Sequence, residues 1–245
     1  MHHMEIFNQS YYDITKRITK GKGMTGNWKS ILRLEKNDKG RDFVCGDIHG
    51  CFDDLDAELE KTGFDKTSDR LFCVGDLIDR GPKSELAIRY MKSDWFYPIM
   101  GNHEHMFLMA NMDTPDQDVY FNNHLMNGGE WAYKMVPDKI ETMLEAMDKL
   151  PLIIQVGDII IAHAVLPPVE SLEEIEENPA TYMKTVLWFR GDYPSVKIPG
   201  ISKVYVGHSI IKNPEQTGKH INIDTGAFLK YRGREGKLTV LEIGM

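Results

Sequence analysis

Three short polar clusters, each closing an apolar run, constrain this chain more than any other feature: GDIHG at Gly46–Gly50, GDLIDRG at Gly75–Gly81 and GNHE at Gly101–Glu104. The runs before them, FVCG, RLFCVG and FYPIMG, read as short buried strands. The stretches after them, DDLDAELEKTGF, SELAIRYMKS and HMFLMANM, read as helices; Leu55 and Leu59 stand at i, i+4 in the first. Strand, polar loop and helix in threefold succession predict an α/β fold. The clusters then lie at the carboxyl ends of the strands, where such sheets bind their ligands.

Beyond these units the pattern changes. Thr114 to Lys149 reads as mainly helical, interrupted by NGGEW at Asn127–Trp131 and by Pro137, and its Met and aromatic side chains read as packing. After Leu150, LPLIIQVGDIIIAHA predicts a β-hairpin turning at Gly157–Asp158, and KVYVGHS predicts a further strand. HINIDTGAF with KLTVLEI is expected to complete a β-rich end, whereas ESLEEIEENP reads as a solvated acidic helix or loop. No linker separates the halves. The expectation is one domain with two sheets over residues 41–245, preceded by an N-terminal extension, 1–40, that is a short helix, a hairpin or partly mobile.

Net charge bears on the partners. At −8, with no extended basic stripe, the chain is not expected to bind nucleic acid through its phosphates. No apolar run approaches the roughly 20 residues of a membrane helix, and the first residues lack the apolar core of a signal peptide. Cys45, Cys51 and Cys73 are odd in number and form no CxxC pair, so reduced, buried thiols in a cytoplasmic protein are expected. Nothing in the pattern speaks to oligomeric state. An acidic chain that binds phosphate needs concentrated positive charge, which metal ions and arginines would supply.

The clusters carry the side chains for such a metal site. Alternate residues of an extended segment share a face, so Asp47 and His49 can share one divalent ion. Asp76 stands in the same place after the next strand, and its two oxygens can bridge ions roughly 3.5–4 Å apart. Asn102 offers an amide oxygen, while His163 and His208 each end an apolar strand. Any one of these is an ordinary turn or packing residue; together they point to a two-metal centre. The mixed N/O donors suit Mn²⁺, Fe or Zn²⁺ better than Ca²⁺.

GDIHG, GDLIDRG and GNHE resemble the three signature segments of the phosphoprotein phosphatase family within the calcineurin-like metallophosphoesterases. LMNGGEW, LPLIIQ, LWFRG, VGH and NIDTGA extend the resemblance, over about residues 40–245, to the bacteriophage lambda-type serine/threonine phosphatases. The resemblance implies a two-sheet sandwich flanked by helices with the metals at one edge. It assigns one ion to Asp47, His49 and bridging Asp76, and a second to Asp76, Asn102, His163 and His208. It implies Mn²⁺ first, with Fe, Zn²⁺ or Ni²⁺ as alternatives, and direct in-line attack on phosphorus by a hydroxide bound to both ions. Arg80 and Arg190 become phosphate clamps through paired guanidinium hydrogen bonds, with Asn102 beside them. His103 becomes the general acid and Asp79 its carboxylate partner.

Glu104 is expected to support the first helical turn or a neighbouring side chain, and Asp224 to anchor a strand-to-turn junction. His105, His124 and His220 are expected to be ordinary polar residues. The expected substrate is a phosphorylated protein or peptide, or a small phosphoester. Symmetrical dinucleoside tetraphosphate hydrolysis is the alternative, and a degenerate metal-binding scaffold a lesser one.

Overall fold

The structure, a computed structural model, describes residues 29–243; most of the expected extension therefore lies outside the described residues. Strands β1 (Ile31–Leu34), β2 (Asp42–Cys45), β3 (Arg70–Cys73) and β4 (Phe96–Pro98) alternate with helices α1 (Phe52–Thr62), α2 (Ala87–Met91) and α3 (Asn102–Ala110). Helices α4 (Gln117–Met126) and α5 (Pro137–Met147) flank a 3₁₀ turn at Gly129–Lys134. The hairpin β5 (Ile153–Val156) and β6 (Ile159–Ala162) follows, then α6 (Glu173–Glu177) and α7 (Pro179–Trp188). Strands β7 (Lys203–Val206), β8 (Glu215–Thr217), β9 (His220–Asn222) and β10 (Val240–Ile243) complete the chain.

The strands form two sheets, ordered β10-β2-β3-β4 and β1-β5-β6-β7-β9-β8. This is the expected mixed α/β sandwich, with two departures in strand membership. The KLTVLEI segment does not complete the β-rich end: β10 pairs antiparallel with β2 of the first sheet, Val240 opposite Cys45. Ile31–Leu34, within the expected extension, pairs parallel with β5 at the edge of the second sheet. Pairing partners so distant in sequence leave no trace in local periodicity.

Side-chain alternation divides the core into two layers. Val44 and Phe72 face the second sheet and pack with Ile154, Ile161, Tyr205 and Ile223 between the sheets. Their neighbours Phe43, Cys45, Leu71 and Cys73 point the other way, into a cluster with Leu55 and Leu59 of α1 and Phe107 of α3. Each fully buried Leu or Phe contributes about 1.5–3 kcal/mol, so both faces of β2 and β3 stabilise the sandwich. The cysteines are reduced and buried as expected. The acidic stretch forms α6, where Glu173 and Glu176 each accept from Arg33 of β1 at 2.9 Å. Among the described residues, no helix is long and apolar enough to cross a membrane.

Register positions the site. Cys45 lies beside Cys73 and Cys73 beside Pro98 on parallel strands, so β2, β3 and β4 end level and release the three polar clusters side by side. Ile161 is likewise level with Tyr205, which brings the residues after β6 and β7 to the same edge.

Candidate active site

Backbone hydrogen bonds fasten the three loops before any side-chain chemistry begins. The N–H groups of Ile48 and His49 donate to the Asp76 carbonyl at 3.1 and 2.7 Å, and Gly50 N–H donates to Leu77 O at 2.8 Å. The buried Glu104 carboxylate then accepts from Asp76 N at 2.9 Å, Leu77 N at 2.8 Å, Ile78 N at 3.3 Å and Gly101 N at 2.9 Å. The expected support of the first turn of α3 holds, through Gly101 N–H; in place of a neighbouring side chain, Glu104 holds backbone N–H groups of the adjacent loop. Burial and the nearby Asp76 push its carboxyl up to about 8, against the downward pull of those N–H donors.

This packing imposes strain. Among the described residues, the non-glycine positions with positive φ are His49 (45°), Asp76 (50°), Asp79 (71°), Arg80 (67°) and His208 (68°). Each costs about 1–3 kcal/mol, a cost the surrounding structure must offset. Every one is a residue that the motifs singled out. Space is equally restricted: a Cβ at Gly101 would overlap the Asp76 carboxylate, and one at Gly207 the Asp47 carboxylate.

Asp76 stands at the centre of the donor groups. Its Oδ2 lies 3.5 Å from His49 Nε2 and 3.8 Å from His103 Nε2, while its Oδ1 lies 3.5 Å from His163 Nε2. His49, Asp76 and His103 form one set of mutually close donor atoms; Asp76, His163 and His208 form another. Asn102 Oδ1 joins the second set, 2.9 Å from His163 Nε2 and 2.8 Å from His208 Nδ1. Asp47, expected beside His49, is outside the tight set; its carboxylate accepts the His208 N–H at 3.1 Å.

The donor chemistry fits cations. His49 Nδ1 and His163 Nδ1 donate to the carbonyls of Ile78 and Val74 at 2.8 and 2.7 Å, so each Nε2 presents a lone pair to the site. His163 Nε2 and Asn102 Oδ1 therefore face each other as acceptors at 2.9 Å, a contact that repels unless a cation is shared. The His49 lone pair meets Arg80 Nη1 at 2.8 Å. Burial holds His49, His163 and His208 below the usual imidazole range, His208 at about 3, so these rings stay neutral and able to bind metal. Burial, Asp224 and Asp76 together push Asp47 upward, the signature of carboxylates gathered where positive charge is required. The residues present fit two divalent ions.

Asp79 anchors the second part of the site. Its Oδ2 accepts from His103 Nδ1 at 2.6 Å. Its Oδ1 accepts from His124 Nε2 at 3.0 Å and from Trp131 Nε1 at 2.7 Å, and its backbone N–H donates to Ser84 Oγ at 2.8 Å. Burial raises its pKa, but the charges and hydrogen bonds of His124 and His103 outweigh that and hold the carboxyl below the ordinary range. His103 Nε2 is buried with no hydrogen-bond partner and faces the Asp76 carboxylate. The expectation that His124 is an ordinary polar residue is therefore corrected, and Trp131 does more than pack. No spacing signal links either to Asp79, 45 and 52 residues away; only the NGGEW break marked the region.

Arg80 and Arg190 line a cavity of about 490 Å³ together with His208 and Phe228; Arg80 lies 5.0 Å from the Phe228 ring centre. Arg232 and Arg234, which sequence reasoning did not single out, line it too. Asp224 accepts the Gly226 N–H at 2.9 Å, as the strand-to-turn expectation requires. His220 stacks against Tyr193 and accepts from Leu166 N, and His105 meets Tyr120 edge to face, both away from the donor groups.

The chain matches the calcineurin-like phosphoesterase family over residues 43–221. It is 31% identical over 220 residues to Serine/threonine-protein phosphatase 1 of Salmonella typhimurium, covering 86% of this chain and 95% of the relative. Over 149 residues it is 35% identical to the symmetrical bis(5'-nucleosyl)-tetraphosphatase of Coxiella burnetii, covering 60% of this chain and 47% of that protein. Its fold is similar to that of a protein serine/threonine phosphatase from Saccharomyces cerevisiae, with TM-score 0.57 and 20% identity over 87% of this chain and 76% of the other. Paired donor groups around a shared carboxylate, a two-sheet sandwich and a match over most of its length agree: the chain belongs to the calcineurin-like phosphoesterase family and is a metallophosphoesterase, a hydrolase.

Proposed function

We propose that this protein is a cytoplasmic serine/threonine protein phosphatase whose catalytic unit spans residues 31–245, β1 included. The His103–Asp79 pair beside the two donor groups carries the reading. It places an imidazole where it can act as proton donor to the poor leaving group of an alkyl phosphate. The near full-length similarity to a bacterial protein phosphatase supports it.

Asp47, His49 and Asp76 would hold one divalent ion; Asp76, Asn102, His163 and His208 would hold the other. Mn²⁺ is the first expectation, with Fe, Zn²⁺ or Ni²⁺ as alternatives. When bound, such ions neutralise phosphoryl oxygens and acidify water. Arg80 and Arg190 orient the phosphate through planar, paired donors, and Asn102 places its amide at the same point. Asp79 keeps the Nδ1 proton of His103 in place, so that Nε2 delivers its proton to the departing serine or threonine oxygen. His124 and Trp131 hold Asp79 ionised and aligned.

The Mn²⁺-loaded protein, assayed side by side with a phosphoserine peptide and a dinucleoside tetraphosphate, tests the reading. We expect the peptide to have the larger kcat/KM; a reversed order assigns the protein to nucleotide chemistry instead.

A further inference from the structure

The chain carries a net charge of −8, yet the cavity beside the candidate active site is lined by Arg80, Arg190, Arg232 and Arg234 and by no carboxylate. Arg80 and Arg190 already serve the scissile phosphate in the reading above. Arg232 and Arg234 come from a separate segment built to present them. Within the 3₁₀ turn Ala227–Arg232, Phe228 and Leu229 are buried, and Lys230 pairs with Asp54 of α1. Gly233, at φ 68°, ends the turn, and Arg234 N–H donates to Leu229 O at 3.0 Å. The Arg232 guanidinium lies 5.2 Å from the Phe228 ring centre, on the ring that Arg80 also approaches.

The basic side chains of this segment thus differ. Lys230 is neutralised, whereas neither Arg232 nor Arg234 has a carboxylate partner among the described residues, and the same holds for Arg190. Exposed guanidiniums converging on one concave space raise the local concentration of anions there. The occupant is more peptide than nucleotide in character. Phe228 already carries two guanidiniums and so lacks a free face for a base, while Met126 (77% exposed) and Ile210 (43%) offer apolar contact on the same cavity.

We propose that Arg232 and Arg234 form a subsite for a second anionic group on the substrate. The enzyme then prefers phosphopeptides bearing an aspartate, glutamate or second phosphate beside the scissile residue. An extended residue spans about 3.3 Å, so an anion one or two positions away reaches the same cavity. The inference rests on the protein-phosphatase reading.

The test uses the full chain loaded with Mn²⁺ and phosphoserine peptides that differ only in flanking residues, acidic or neutral, with a dinucleoside tetraphosphate and p-nitrophenyl phosphate alongside. We expect kcat/KM for the acidic peptide to exceed that for the neutral one by about tenfold at low salt, and to approach it at high salt. Arg232→Ala/Arg234→Ala should reduce the ratio to about two, and Arg234→Glu alone should bring it to one or below. Both side chains are exposed, and the neutral peptide is the internal reference for each variant. Equal ratios in the wild type and the variants overturn the subsite and leave the phosphatase reading standing. Cleavage of p-nitrophenyl phosphate with no turnover of any peptide overturns both. A tetraphosphate that outpaces every peptide and loses its advantage in the double variant overturns the peptide occupant.

Discussion

Along the four-stranded sheet, parallel strands end level and the loops and helix start that follow them carry Asp47, His49, Asp76, Asp79, Arg80, Asn102 and His103; along the six-stranded sheet, β6 and β7 hand over His163 and His208. The first region is strained at His49, Asp76, Asp79 and Arg80 and fastened by the Glu104 carboxylate. The second relies on the first for its alignment: His163 is oriented by the Val74 carbonyl, and the His208 N–H by Asp47. One sheet organises the site and the other closes it. Damage to the organising side should therefore spread, whereas damage to the closing side should stay local.

Asp76→Asn gives the largest expected effect, because Asp76 faces both donor groups. Activity should fall by more than about 10³-fold, and metal analysis should find both ions weakened. His163→Ala should lose one ion and keep most of the other. Equal metal loss in the two variants breaks the distinction between the sheets.

His103→Asn should lower kcat for a phosphoserine peptide by about 10²–10⁴-fold, and for p-nitrophenyl phosphate far less, since that leaving group needs little protonation. Uniform losses for both substrates would remove the general-acid role. Trp131→Phe keeps the aromatic packing and removes one N–H from Asp79. A drop in kcat of roughly threefold to tenfold at unchanged KM is expected. A changed KM with kcat intact would place Trp131 in substrate binding instead.

The smallest effect concerns the closing sheet. His220, on β9, is buried, and burial lowers its pKa to about 4 from an unfolded value near 6.5. The unfolded chain therefore takes the proton more readily, and stability is lost as pH falls from about 6.5 towards 4. Between pH 7 and 5 this histidine should cost about 1–2 kcal/mol, read by urea denaturation and absent in His220→Gln. An unchanged pH dependence in that variant would move the titration elsewhere.

Much of the organising sheet was legible because its information is local: an apolar run, a glycine, then a carboxylate or imidazole, repeated at each strand end. His163 and His208 were legible for the same reason. What local pattern does not contain is pairing across the chain. It left β10 in the wrong sheet, and it left the strand Ile31–Leu34 inside an extension. It also hid the convergence of His124 and Trp131 on Asp79, which depends on how α4 and the turn Gly129–Lys134 fold back over α3. Arg232 and Arg234 carry no signal of their own in the sequence; only the turn that holds them against the cavity gives them a place.

The Glu104 carboxylate gives the site an unusual kind of unity. A single side chain gathers N–H groups from the loop after β3 and from the start of α3, while that same loop takes the N–H groups of the loop after β2. The three motifs behave as one mechanical part with one fastener. Substitutions in different motifs should then be strongly non-additive: once the fastener is loosened, a second lesion finds little left to disturb.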